Sequence, residues 1–301
     1  MKKLEPEGMV FYRNGEVVRC DRAETRRLWG VEEFPEDIPS PEVAHLEITG
    51  RCNLNCGYCY VEKTGSELPR EWWEGIIDQL AGAGVFQVTF GGGEPLLRKD
   101  LPWLAERARG RGLDVCMTTN GLLLPQHGCE LDCYSQVNVS YHGEADVVSG
   151  ALECLAVKRL RRGMNVVMRR GYARELGRLA ELAGAADAEL LLLTYKTREE
   201  TGETGEAGEA GEALSPVEVL KLAREVKGTA RVAVDGATAG ECWCNYRFVD
   251  VDSEGRLLPC SFIRTPEGDL TREPFAEVWA RRRKYQRCPY LPLDNGHCWQ
   301  R

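Results

Sequence analysis

Between residues 43 and 235 short apolar runs alternate with longer amphipathic ones, and no other feature constrains the fold as strongly. VAHLEIT (43–49), FQVTF (86–90), LDVCMTT (113–119), YSQVNVSY (134–141), MNVVMR (164–169) and AELLLLTY (188–195) have the length and side-chain types of strands. PREWWEGIIDQLAGAG (69–84), LPWLAERARGRG (101–112) and stretches around 147–162, 173–184 and 216–228 have helical character. Strands spaced by helices of this size form repeated βα units with a parallel sheet. Polar motifs follow several different strand ends, which favours a partial (β/α)6 TIM-like barrel over a flavodoxin-like sheet. TARVAVD (229–235) is a candidate terminal strand.

Two segments flank this α/β region. Residues 1–42 hold a hairpin signal, Asn14–Gly15 between two strand-like runs in 9–20, and then a proline-rich linker over 34–42. Residues 236–301 carry Cys242, Cys244, Cys260, Cys288 and Cys298 and read as a small cysteine-rich β-hairpin and helix module. Such a module has little core of its own, so a metal would supply part of its folding energy. The Gly/Glu insertion at 200–213 predicts an exposed, flexible loop, because repelling charge and glycine entropy oppose order. RRRK at 281–284 predicts the solvated face of a helix, with an acidic partner as the alternative.

The net charge is −8 and owes much to the acidic insertion, so a broad nucleic-acid footprint is disfavoured. No apolar segment follows MKKLEPEG, and no window approaches a membrane span, which leads to the expectation of a cytoplasmic protein. Thirteen cysteines in that compartment point to metal or catalytic roles more than to disulfides. Cys116 and Cys154 read as core residues, and Cys129 with Cys133 as structural.

CNLNCGYCY (52–60) follows the first barrel strand directly. Its Cys52, Cys56 and Cys59 have the spacing that lets one loop wrap a cubane and place three thiolates on three irons. A fourth iron then stays open to a small molecule. Zinc is the alternative for three close cysteines, and it needs a fourth ligand. Gly91–Gly92–Gly93 ends the second strand, which either lets backbone approach a ligand closely or makes a bare tight turn. It is neither a phosphate loop nor a dinucleotide fingerprint.

The cysteine run, with aromatic Tyr58 before the third cysteine, resembles the radical S-adenosylmethionine (radical SAM) superfamily. The wording is especially similar to members with a C-terminal SPASM or Twitch module. The likeness extends to Gly92, Gly93, Glu94 and Pro95, to Thr119 and Asn120 within TTNG, and to Ser140 within VNVSYHG. The family often has leucine and aspartate after that serine, where this chain has Tyr141 and His142. The resemblance implies a catalytic [4Fe–4S] cluster on Cys52, Cys56 and Cys59, S-adenosylmethionine bound along these strand ends with Glu94 near its ammonium, and a 5′-deoxyadenosyl radical that abstracts a substrate hydrogen. It also implies a one-electron donor, ferredoxin or flavodoxin.

Gly255 stands eleven residues after Cys244 and five before Cys260, which resembles the opening of the SPASM/Twitch pattern. The longer form needs a further cysteine run that is missing here. The resemblance therefore implies the Twitch form, with one auxiliary [4Fe–4S] cluster on Cys244, Cys260, Cys288 and Cys298 and with Cys242 as rival to Cys244. A zinc knot or free thiols are the alternatives, and His297 reads as a surface residue.

Tyr141, His142, Arg169, Tyr195 and Lys196 stand at strand ends and are the candidates to act on substrate. His142 has the chemistry of a proton carrier near neutral pH, and Arg169 that of a carboxylate or phosphate clamp. Structural histidine and surface ion pair are the plainer alternatives. Family members with such modules mostly modify peptides or proteins, and others act on small molecules. A non-catalytic iron–sulfur electron carrier is the reading from a different class.

Overall fold

The computed structural model describes residues 1–13, 15–61, 63–127, 131–195, 212–239 and 243–283. Its N-terminal part is an antiparallel sheet of β1 (Lys2–Glu5), β2 (Gly8–Arg13) and β3 (Glu16–Asp21), followed by helix α1 (Arg22–Trp29). Asp21 caps α1 by accepting from the Glu24 amide, and Gly30 ends it at φ 66°. The hairpin expected over 9–20 is there. The polar β1 and α1 carry no comparable apolar signal, and reading residues 1–42 as hairpin and linker missed both.

From β4 (Val43–Thr49) the expected alternation holds. It continues through α2 (Arg70–Ala83), β5 (Gln87–Gly92), α3 (Leu101–Gly110), β6 (Asp114–Thr119), β7 (Gln136–Ser140), α4 (Ala145–Ala156) and β8 (Arg161–Met168). After β8 come α5 (Arg170–Ala173), α6 (Leu176–Ala185), β9 (Glu189–Thr194), α7 (Pro216–Val226), β10 (Arg231–Val234) and α8 (Gly236–Ala239). Strands β4 to β10 lie in sequence order, each parallel to its neighbour. That is the order of a partial β/α barrel, with β10 as its terminal strand. Trp73, Ile76, Ile77 and Leu80 of α2 and Leu104 of α3 are fully buried among apolar strand residues such as Leu46, Ile48, Val88 and Phe90. Helix α7 begins with a capping box between Ser215 and Glu218.

The last elements are β11 (Phe248–Val251), β12 (Arg256–Leu258), β13 (Gly268–Asp269) and α9 (Phe275–Arg281). The hairpin expected around Gly255 is formed by β11 and β12, with Gly255 at φ 85°. It does not stand apart from the barrel: β11 pairs in parallel with β4, in register Asp250 to His45, and extends one sheet of ten strands. Without β11 the buried strand β4 would present an open edge. Val249 and Val251 are fully buried in the same core. The N-terminal sheet is pinned to this junction. Arg247 donates to Glu5 at 2.7 Å and to Glu42, and Lys3 donates to the carbonyls of Ser40 and Pro41.

The basic run is not a solvated helix face. Arg282 is buried, lies 3.6 Å from the Trp279 ring centroid, and donates to Asp37 and to the Asn245 carbonyl. Arg281 pairs with Glu273 and Arg283 with Glu267. The helix ends at Arg281 because the stem and head of Arg282 are turned into the core. Among the described residues no helix is long and apolar enough to cross a membrane. Residues 200–211 of the insertion, Cys129, Lys196, Cys242, Cys288, His297 and Cys298 lie outside the described residues.

Candidate active site

A cavity of about 270 Å³ opens at the C-terminal ends of the barrel strands. Cys52, Cys56 and Cys59 line it together with Tyr58, Gly91, Gly92, Gly93, Glu94, Thr119, Asn120, Ser140, Tyr141 and His142. Residues predicted from four separate segments therefore meet in one place. The three cysteines stand on the loop after β4, each half-buried, and no disulfide joins them. The Cys59 amide donates to the Cys56 carbonyl at 3.2 Å and the Leu54 amide to the Cys52 sulfur at 3.4 Å. Lys63 holds the outer side of the loop through the Leu54 carbonyl and Asn55.

Burial pushes the Cys56 and Cys59 thiols above their ordinary value, and crowding by neighbouring thiols adds to it. Lys63 offsets this only in part. A cationic iron–sulfur core would supply the missing positive charge and draw the thiolates out. Three soft donors on one loop, facing a cavity, fit a cluster with one iron left for a small ligand.

The glycine loop is built for close approach. Gly92 has φ 109°, the Gly93 amide donates to the Thr49 carbonyl, and the Glu94 amide donates to the Arg51 carbonyl. A Cβ on Gly93 would stand 1.9 Å from the Arg51 oxygen. Gly93→Ala is expected to cost about 1–3 kcal/mol by overpacking and to shift the cysteine loop, read by the urea midpoint and by iron uptake. Gly82→Ala on α2, where a Cβ meets nothing within 4 Å, is the control and should be neutral or stabilising.

Glu94 lines the cavity and also braces its wall. It is buried, accepts from the Thr119 hydroxyl at 2.7 Å and from the amides of Asn120 and Leu96, and so ties the loop after β6 to the glycine loop. Asn120 passes the link on to Asn53 in the cysteine loop. Pro95 is buried and opens a single 3-10 turn. Ser140 faces the cavity at the end of β7.

Tyr141 is buried and its hydroxyl donates to Glu175 at 2.6 Å. The His142 Nδ1 lies 2.7 Å from the Tyr58 hydroxyl and 3.4 Å from the Cys56 sulfur, and burial holds its pKa below the ordinary value. Arg169 stacks over Tyr172 at 4.0 Å and lies 5.9 Å from the Tyr58 ring. Its Nε is buried without a hydrogen-bond partner among the described residues. Tyr195 is buried, with its ring 6.3 Å from that of Tyr58. The chain also draws Cys244 and Cys260 toward one another, since the Asn245 amide donates to the Pro259 carbonyl at 3.0 Å.

Sequence reasoning missed a buried charged network in the cavity wall. His45 and Glu47 stand two apart on the inward face of β4. Asp250 on β11 lies opposite, with His45 Nδ1 3.0 Å from its carboxylate, and Arg264 clasps Glu47 at 2.6 and 3.1 Å. Donor atoms of His45, Glu47 and Asp250 lie within 4.8 Å of one another, a spacing that suits a cation, and Arg264 already supplies a cation at Glu47. Polar residues alternating with Ala44, Leu46 and Ile48 were the available signal.

Burial opposes charge on His45, but Asp250 outweighs it and raises the pKa. Burial, reinforced by Asp250, pushes Glu47 up to about 8 against the pull of Arg264. Both groups hold protons more tightly folded than unfolded. Their contribution is complete below their ordinary values and is lost as pH rises toward about 8. The urea midpoint is expected to fall from about pH 6 to about pH 9, with a shallower fall in His45→Gln/Glu47→Gln. Equal slopes would contradict this.

Comparison with known proteins agrees with the site. Residues 46–143 match the family model described as the Radical SAM superfamily. The chain is 28% identical over 311 aligned positions to a PqqA peptide cyclase of Xanthomonas euvesicatoria, covering 86% of this chain and 83% of that protein. A PqqA peptide cyclase of Rhodopseudomonas palustris is 27% identical, with 87% and 83% covered. Among solved structures, Streptococcus suis SuiB superposes with a TM-score of 0.73 at 14% identity, over 92% of this chain and 86% of that one. The anSMEcpe structure with bound AdoMet and Cp18Cys peptide superposes with a TM-score of 0.63 at 18% identity, over 79% and 80%.

Proposed function

We propose that the chain is a radical SAM enzyme that modifies a peptide by hydrogen abstraction, a reading supported by the match of residues 46–143 to the Radical SAM superfamily. The observation that carries this reading is the convergence of Cys52, Cys56 and Cys59 with the glycine loop and Ser140 on one cavity. Cys52, Cys56 and Cys59 would hold a [4Fe–4S] cluster, which with S-adenosylmethionine would supply the radical chemistry that takes hydrogen from substrate.

The chain's own residues prepare that event. Gly92 and Gly93 leave room for a ligand to lie against backbone. Glu94 fixes Thr119 and Asn120, so these two present a preset polar edge. Ser140 and Asn165 add polar groups on the next strands. Arg169, held over Tyr172 with an Nε unpartnered among the described residues, is suited to a carboxylate. Tyr58, Tyr141 and His142 line the cavity, the Tyr195 ring lies 6.3 Å from that of Tyr58, and Lys196 follows Tyr195 in the chain. The half-enclosed space keeps bulk water from a reactive radical.

A peptide is favoured as substrate because the relatives are named as peptide cyclases, and SuiB has been solved with a precursor peptide. The contact between Asn245 and Pro259 supports an auxiliary [4Fe–4S] cluster on Cys244, Cys260, Cys288 and Cys298, with Cys242 as rival to Cys244. A ferredoxin or flavodoxin is the electron donor in this reading. The test uses short peptides encoded beside the gene, deuterated at side-chain carbons, with reduced enzyme and S-adenosylmethionine. Deuterium should appear in 5′-deoxyadenosine and the peptide should lose hydrogen. Transfer from small metabolites, with none from any peptide, would contradict the reading.

A further inference from the structure

His142 touches the cysteine loop at two atoms. Its Nδ1 is 2.7 Å from the Tyr58 hydroxyl and 3.4 Å from the Cys56 sulfur. One imidazole nitrogen thus faces both the phenol and the sulfur. The rings of Tyr58 and His142 are parallel within 14°.

The geometry is held from outside. His142 follows β7, and the Tyr141 amide before it donates to the Asn165 carbonyl at 2.8 Å. The Tyr141 ring packs edge-on against Tyr172, and Arg169 stacks on the other side of that cluster. The imidazole is therefore placed by two barrel strands rather than by the loop it contacts.

The chemistry fixes the direction of the hydrogen bonds. An iron-bound thiolate has lone pairs and no proton. A bare Nδ1 facing it at 3.4 Å would set lone pair against lone pair, so the Nδ1–H tautomer is favoured. The Tyr58 oxygen and the Cys56 sulfur share that one N–H as acceptors.

We propose that His142 is a positioning residue whose Nδ1–H, shared with the Tyr58 oxygen, donates a hydrogen bond to the Cys56 thiolate and raises the reduction potential of the cluster. The inference rests on the reading of the 52–59 loop as a cluster site. Reduction adds one electron from the external donor, and the thiolate sulfur becomes more negative. Donors aimed at it stabilise the reduced form more than the oxidised one. No proton is transferred.

The experiment takes the full chain, reconstituted anaerobically with iron and sulfide, and titrates it with reductant while the reduced cluster is followed by electron paramagnetic resonance. Neither S-adenosylmethionine nor peptide is needed. His142→Phe should shift the midpoint to more negative potential at unchanged iron and sulfide content. Tyr58→Phe, which leaves the N–H to the sulfur alone, should not shift it to more negative potential. His142→Asn, which keeps an N–H, should fall between wild type and His142→Phe. If His142→Phe does not load, His142→Asn reads the same sulfur. A purely structural histidine would change the urea midpoint and leave the potential alone. A midpoint unmoved in the loaded His142 variants overturns the inference. A wild-type chain that takes up no iron and sulfide overturns the loop reading as well, so the two failures are told apart.

Discussion

Alanine at Cys52, Cys56 or Cys59 is expected to reduce 5′-deoxyadenosine formation to background and to remove one cluster's worth of iron and sulfide. Each thiolate binds a separate iron in the proposed arrangement, so no neighbour can stand in for a lost ligand. Among the described residues lining the cavity there is no fourth thiol to substitute. Folding should survive, because the loop is half exposed and the core beneath it is made by the strands. Alanine at Cys116 is the matched control. That thiol is buried on β6, burial pushes it up to about 12, and it is a small apolar filler rather than a ligand. Its loss should lower stability modestly and leave iron content unchanged. Full iron content in the Cys56→Ala protein would contradict the assignment.

The second large effect concerns stability. At about pH 9, above the value near which Glu47 ionises, Arg264→Ala should destabilise the chain by about 3–5 kcal/mol, because it strands the Glu47 carboxylate in the barrel wall. The Glu47 side chain is 1% exposed and its two oxygens are clasped by the one guanidinium. The penalty comes from the uncompensated charge more than from the lost contact. Replacing both partners, as in Glu47→Gln/Arg264→Met, should recover much of the loss, which a simple contact account does not predict. Urea unfolding under anaerobic conditions reads both. Arg264 stands four residues after Cys260, so its release should also loosen the loop that carries this cysteine. Hydrogen exchange at 260–264 would register that.

The barrel was legible because each strand announces itself locally. Runs such as AELLLLTY are apolar enough to be buried on both faces, and helices with one apolar stripe separate them. The cysteine loop, the glycine loop and Ser140 were legible for a related reason. They sit at strand ends, and a parallel barrel sends all such ends to one side.

The charged network was not legible in this way. His45 and Glu47 are a visible alternation on β4, but Asp250 and Arg264 reach them from about two hundred residues away through the register of β11 on β4. Nothing in FVDV states which strand it will join. Arg282 was misread for a similar reason, because a basic run looks solvated until the tryptophan ring and the aspartate that receive its middle member are in place. The hydrogen bonds by which Glu94 holds Thr119 and Asn120 became visible only in three dimensions.

The central claim is that the 52–59 loop and its cavity cleave S-adenosylmethionine reductively. The most direct measurement is 5′-deoxyadenosine formed by the reconstituted full chain with S-adenosylmethionine and a low-potential reductant, in the absence of oxygen. The account predicts its formation in wild type, dependent on reductant and absent in Cys56→Ala. A wild-type chain with intact clusters that yields none, with several reductants, would contradict it.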